Sequence, residues 1–257
     1  MKIITYSDLH LEFGTDFKPA KDADLMILAG DVCILNNFDP LDTFLQEWGK
    51  PVLYVTGNHE YYTRQPMHEC EKKFKAWLTK EHPYVTILSD ESISIDNVNF
   101  FGGTMWTNFS NGSLKDMDFA RHNMNDFRLI RTDNNNLLKP VDTIDFHNSF
   151  VEKLIKWFEK PLDGSRIVIT HHAPVINPNS EYIGSSLSPA FNSLDMLDII
   201  EKYQPDLWVY GHTHECDGQA IGKTRIVSNQ RGYPDYDGSY ECSNFDPTGI
   251  PIIIEST

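Results

Sequence analysis

Paired cysteines, membrane-length apolar runs, basic clusters and internal repeats are all missing from this sequence. Its four cysteines, Cys33, Cys70, Cys216 and Cys242, lie far apart and form no CxxC pair. Isolated cysteines in a chain of this size predict a reducing compartment and a packing role. No segment approaches the ~18–20 apolar residues of a membrane span. The apolar stretch in MKIITYSDLH is too short for a signal peptide, so a cytoplasmic protein with no membrane contact is expected. Basic residues are few, 22 Lys and Arg against 37 Asp and Glu, for a net charge of −15. Gripping a nucleic-acid backbone takes clustered Lys and Arg, which makes long polynucleotides poor candidates as partners. A small anionic substrate stays compatible, because bound cations invert the local charge.

Short, β-branched apolar runs are what the sequence does have, each followed by a polar or glycine-rich corner. Lys2 to Tyr6, Leu25 to Ala29, Val52 to Val55, Arg166 to Thr170 and Leu207 to Tyr210 read as buried strands. Val85 to Leu88, Ser92 to Ile95 and Val98 to Phe101 are closely spaced and predict a meander. Thr224 to Ser228 and Ile250 to Ile254 add strands near the end. Phe146, Phe150, Leu154 and Phe158 recur every fourth residue and predict a helix. Met67 to Leu78 and Asn192 to Tyr203 predict two more, the latter stopped at Gln204-Pro205. The alternation predicts an α/β protein with two mixed sheets covered by helices. Three stretches, Gly103 to Thr143, His172 to Phe191 and Asn229 to Gly249, fit no element and read as functional loops.

Five clusters sit at predicted strand ends: Asp8-Leu9-His10, Gly30-Asp31, Gly57-Asn58-His59-Glu60, His171-His172 and Gly211-His212-Thr213-His214. Each alone is weak; their order, each behind an apolar run, is what carries weight. Alternate residues beyond a strand end point the same way, so Asp8 and His10 can reach one ion, as can His212 and His214 if that corner stays extended. Glycines 30, 57 and 211 allow tight corners. Carboxylate, imidazole and amide donors suit manganese, with iron, zinc, cobalt or nickel as alternatives, better than calcium or magnesium. Two such ions ~3.5–4 Å apart would acidify a shared water and clamp both sides of a phosphoryl displacement. Asp31 is the natural bridging carboxylate. Because the candidate ligands run from residue 8 to residue 214, one domain over 1–257 is expected.

These clusters resemble the calcineurin-like metallophosphoesterase superfamily, whose order is D-x-H, G-D, G-N-H-[DE], H and G-H-x-H. The resemblance implies a four-layer αββα sandwich with a dinuclear centre at the sheet edges. Carried over position by position, it puts Asp8, His10 and His214 on the first ion. Asn58, His171 and His212 fall on the second, with Asp31 between. His59 would contact the phosphate and protonate the leaving oxygen, and Glu60 would support the backbone nearby. The implied substrate is a small phosphomonoester or phosphodiester, a cyclic nucleotide among them. The alternatives are a nuclease acting on DNA or RNA ends and a non-catalytic scaffold of the same fold.

The chain departs from the family's protein phosphatases at Ile34, Leu35 and Thr56, where those enzymes carry an Asp-Arg pair and a further Arg. The departure favours the bacterial and phage-type branch. It leaves the phosphate grip open, with Arg231, His172, Arg128 and Arg131 as candidates. Trp106, Tyr182 and Tyr233 are candidates to stack on a substrate ring.

Overall fold

The computed structural model describes residues 1–14, 17–235, 239–249 and 252–254. Among the described residues, eleven strands form two sheets. In the first, β1 (Lys2–Tyr6), β2 (Leu25–Ala29), β3 (Val52–Val55) and β4 (Val85–Ile87) run parallel, and β11 (Ile252–Ile253) lies antiparallel against β1. The second sheet comprises β5 (Glu91–Ile95), β6 (Val98–Gly103), β7 (Ser165–Thr170), β8 (Leu207–Tyr210), β9 (Gln219–Ile221) and β10 (Thr224–Ser228), in the order β5-β6-β7-β8-β10-β9. Its four inner strands are parallel and its two edge strands antiparallel.

Side chains alternate across each strand, and both faces are buried. From β1, Ile3 enters the layer between the sheets, where it joins Ile27, Leu53 and Val55 against Phe100, Ile167, Ile169 and Val209. Its neighbour Ile4 faces outward, toward Leu41, Leu45, Phe74 and Leu78 of the helices α1 (Asp39–Trp48) and α2 (Met67–Glu81). A cap of short helices comes next: α3 (Phe109–Gly112), α4 (Leu114–Asn123) and α5 (Asp126–Leu129). The long α6 (Pro140–Phe158), the turn α7 (Ser188–Phe191) and α8 (Met196–Tyr203) come after it. Phe150, Leu154 and Trp157 of α6, with Met196 and Ile200 of α8, cover Phe101, Val168 and Trp208 on the outer face of the second sheet. The order helix, sheet, sheet, helix is the four-layer αββα sandwich.

The structure corrects three sequence expectations. Residues 85–103 form no meander. β4 pairs with β3 in the first sheet, while β5 and β6 form a hairpin in the second. The chain changes sheets at Asp90, which adopts φ +56°. The helix expected from Asn192 starts at Met196, because Asn192 instead bridges Ala173. The stretch 103–143 is largely helical: Trp106, Phe109, Phe127 and Ile130 gather α3–α5 into their own apolar cluster. Of the strand expected over 250–254, residues 250 and 251 lie outside the described residues.

The parallel strands give the sandwich a direction. β1, β2, β3, β7, β8 and β10 all deliver their carboxyl ends to one edge. There Ser7 and Gln230 bridge the two sheets.

Candidate metal centre

Every candidate ligand lies in the first few residues past a carboxyl strand end, where open α/β sheets place their sites. Their reach does not come from extended corners, as the sequence suggested. Asp8, His10, Asp31, His212 and His214 all have positive φ, between 42° and 74°. Left-handed backbone is uncommon outside glycine and concentrates at functional sites. Each such residue turns the chain back over the strand ends, so side chains two apart converge. Two glycines are required by crowding. A Cβ at residue 57 would stand 2.1 Å from Asp31 Oδ1, and one at residue 211 would stand 2.6 Å from Asp8 Oδ2.

Two groups of donors result. Asp8, His10 and His214 form one, with His214 Nε2 3.3 Å from His10 Nε2 and 3.4 Å from Asp8 Oδ1. Asp31, His171 and His212 form the other, with His171 Nε2 3.2 Å from His212 Nδ1 and 3.3 Å from Asp31 Oδ1. Asn58 joins the second group, its Oδ1 2.9 Å from His171 Nε2. Asp31 also clusters with His10 and His59, so it stands between the two groups. These residues are buried or nearly so, and His212 Nε2 has no hydrogen-bond partner among the described residues. Ring nitrogens, carboxylates and an amide oxygen crowded together in this way suit a cation better than they suit one another. The donor set fits divalent transition metals.

The electrostatics agree. Burial alone would raise the Asp31 carboxyl, yet the imidazoles of His171, His59 and His10 hold it well below the usual range. Burial would lower His171 and His214; Asp31 instead lifts the first to about 9, and Asp8 with Glu241 lifts the second to about 10. Burial keeps His212 neutral, reinforced by the rings of His172 and His171.

His59 stacks near Tyr62, with ring centroids 4.1 Å apart, and its Nε2 lies 2.8 Å from the Tyr233 hydroxyl. Its Nδ1 faces Glu12 Oε1 at 3.7 Å, and the same oxygen lies 3.6 Å from His10 Nδ1. Burial opposes ionisation of Glu12, but these two imidazoles overcome it and draw the carboxyl down to about 2. Burial likewise opposes protonation of His59, and Asp31 and Glu12 outweigh it.

The other sequence candidates do not join the two donor groups. His172 is buried beside Trp106 and His212, with Nδ1 3.2 Å from the Thr104 carbonyl. Arg231 is buried, its guanidinium donating to the Leu9 and His10 carbonyls and lying over the rings of Phe17 and Tyr240. It fixes the backbone of the Asp8–His10 turn. Arg128 is exposed and donates to the His122 carbonyl, and Arg131 donates to Asn135. Trp106 is buried and Tyr182 stacks on Phe191. Tyr233, 38% exposed, stacks on His10 next to the exposed Phe13.

Sequence reasoning missed four partners. Glu12 lies two residues beyond His10, but a single acid there carries no pattern. Asp126 accepts from the Asn58 amide at 2.9 Å and the Tyr62 hydroxyl at 2.5 Å. Glu241 Oε2 is 2.5 Å from His214 Nδ1. Gln230 Oε1 accepts from the His214 amide at 2.5 Å. All but Glu12 lie in stretches that the sequence could only mark as loops.

The calcineurin-like phosphoesterase family profile matches residues 1–216. An uncharacterised protein of Acanthamoeba polyphaga mimivirus is 31% identical, over 96% of this chain and 95% of its own length. A protein of Caenorhabditis elegans is 24% identical, over 89% of this chain and 69% of its own. Among solved structures, the phosphopantetheinyl hydrolase of Mycobacterium tuberculosis superposes with a TM-score of 0.66 at 18% identity, covering 90% of this chain and 89% of that one. A Thermus thermophilus protein gives 0.52 at 11% identity, covering 89% and 88%. At these identities the two superpositions speak to the fold. Among the described residues, no helix is long and apolar enough to cross a membrane.

Proposed function

The chain belongs to the calcineurin-like phosphoesterase family, and on that premise we propose that it hydrolyses a small phosphate ester at a centre of two divalent cations. Asp8, His10 and His214 would hold one, Asn58, His171 and His212 the other, with Asp31 shared. We assign manganese first. The observation that carries this reading is the position of Asp31, which clusters with His171 and His212 on one side and with His10 and His59 on the other. Two such ions supply the field that acidifies a water and neutralises phosphoryl oxygens.

The chain's own residues do the rest. His59 donates a proton to the leaving oxygen, general acid catalysis worth about 10²–10⁴-fold. Asp31 and Glu12 favour its protonated form, and Glu12 faces the nitrogen that does not transfer the proton. Tyr233 holds the other nitrogen until substrate displaces its hydroxyl. Asp126 turns the Asn58 amide so that its oxygen faces His171. Phe13 and Tyr233 give the leaving group an exposed aromatic edge. The acidic balance of the chain favours a small phosphorylated or nucleotide substrate over a long nucleic acid.

Purified protein supplied with manganese is expected to hydrolyse bis-p-nitrophenyl phosphate or p-nitrophenyl phosphate. Asp31→Asn and His59→Ala are each expected to lose most of that turnover. Activity that survives both substitutions would remove the basis for the proposal.

A further inference from the structure

The sequence offers four isolated cysteines, and none is bonded in the structure. Cys33 and Cys70 pack into the apolar layer under α1 and α2. Cys216 and Cys242 behave differently. Separated by 26 positions, they meet with their sulfurs 2.7 Å apart, closer than two non-bonded sulfurs rest. Backbone contacts fix both ends. Cys216 Sγ accepts from the Gln230 amide at 3.2 Å, and the Cys242 amide donates to the Arg231 carbonyl at 3.3 Å. Joining the sulfurs therefore asks little of the chain, since disulfide formation fails mainly where the backbone must move.

The pair also sits where a bond would matter. Cys216 follows His214 by two residues. Cys242 follows Glu241, whose carboxylate holds His214 Nδ1 at 2.5 Å. Between the cysteines lie Gln230, which accepts from the His214 amide, and Tyr233, which stacks on His10 and reaches His59. In the dithiol form, the segment carrying Glu241 is tied to His214 through side chains that are partly open to solvent, Glu241 being 49% exposed.

We propose that Cys216 and Cys242 form a reversible disulfide that locks Glu241 and Tyr233 against the His214 side of the centre. The oxidant is a small-molecule disulfide such as oxidised glutathione. One cysteine thiolate attacks it and expels a first glutathione thiolate, leaving a mixed disulfide. The second cysteine sulfur then displaces the remaining glutathione. Two protein S–H bonds become one S–S bond, and the two protons and two electrons end on two glutathione thiols. Cys216, only partly buried, gives the oxidant its entry.

The test counts thiols in the full chain. Protein equilibrated with reduced or oxidised glutathione is quenched in acid, unfolded and alkylated, and its mass is measured. The reduced sample is expected to take up four alkyl groups, matching its four free cysteines. The oxidised sample should take up two, with a cross-linked peptide joining Cys216 to Cys242. Four alkyl groups after oxidation, or bound glutathione without that cross-link, would overturn the proposal. Cys242→Ser lacks the resolving sulfur and under oxidant should stop at the glutathione mixed disulfide on Cys216, leaving two alkylatable thiols and no internal cross-link; an internal cross-link persisting in it would also count against the assignment. The locking role rests on the phosphoesterase reading and is read separately, as manganese release to a chelator. The oxidised form is expected to release about tenfold more slowly, in line with the effect of losing one residue that supports a ligand. Equal release rates would refute the lock. If no manganese binds at all, the phosphoesterase reading fails while the thiol count still decides the disulfide.

Discussion

Glu60 Oε2 accepts the backbone amide of Asp31 at 2.9 Å, and the same carboxylate accepts the amides of Val32 and Gly57 at 2.8 and 2.7 Å. One buried acid thus ties the corner after β2 to the corner after β3. The Tyr54 hydroxyl adds a fourth hydrogen bond at 2.7 Å. Replacing Glu60 with Ala leaves three buried amides unpaired, at about 1–3 kcal/mol each. A loss of at least ~3 kcal/mol is expected, or about 6–12 °C in Tm for a chain of this size. Thermal unfolding of Glu60→Ala checks this, and an unchanged Tm would show that Glu60 is dispensable.

Asp126 acts on the centre through Asn58. With Asp126→Ala, the Asn58 amide loses its 2.9 Å acceptor and keeps only the 3.3 Å contact to the Tyr62 hydroxyl, so the amide oxygen is held less firmly toward His171. Metal affinity is expected to fall about 10–100-fold, while far-UV circular dichroism stays that of the parent. Titration with manganese distinguishes this from a loss of fold.

The tight corners give a steric prediction. Gly57→Ala would drive a Cβ to within 2.1 Å of Asp31 Oδ1. Displacing a reacting group by about 1 Å can cost 10²-fold, and turnover should fall by at least that much. Gly218→Ala, whose Cβ would meet only the Ile226 carbonyl at 3.7 Å, is the neutral control.

Metal binding should release protons. Without metal, His214 stays charged up to about 10, burial opposing this and Asp8 with Glu241 overcoming it. Its folded pKa is raised above the ordinary imidazole value of about 6.5. Its charge therefore stabilises the metal-free fold fully below pH ~6.5, and that contribution is lost as pH rises through about 10. A cation needs the neutral ring, so affinity is expected to rise with pH across this window. Calorimetry in two buffers of different ionisation enthalpy reads the proton release, and identical heats in both would contradict it.

The legible parts of this protein are those with a local cause. β1, β2, β3, β7 and β8 were readable because strands buried on both faces are continuous apolar runs. The seven candidate ligand positions stand out in the sequence because each lies just past such a run, and the fold brings six of them into groups that could hold a cation. Residues 85–103 were not, since nothing in three adjacent strand patterns tells which sheet each joins; that is settled by packing across the middle layer. Arg231 carried the charge expected of a phosphate clamp, yet Leu9 and His10 carbonyls claim its guanidinium. Glu12, Asp126 and Glu241 reach the site from segments without periodicity, and only the fold brings them there. Cys216 and Cys242 looked isolated for the same reason.

The most direct test of the account is anomalous diffraction from crystals soaked in manganese. Two peaks are expected at the carboxyl ends of the strands, one against Asp8, His10 and His214 and one against Asn58, His171 and His212, with Asp31 reaching both. A single peak, or none within reach of Asp31, would contradict it.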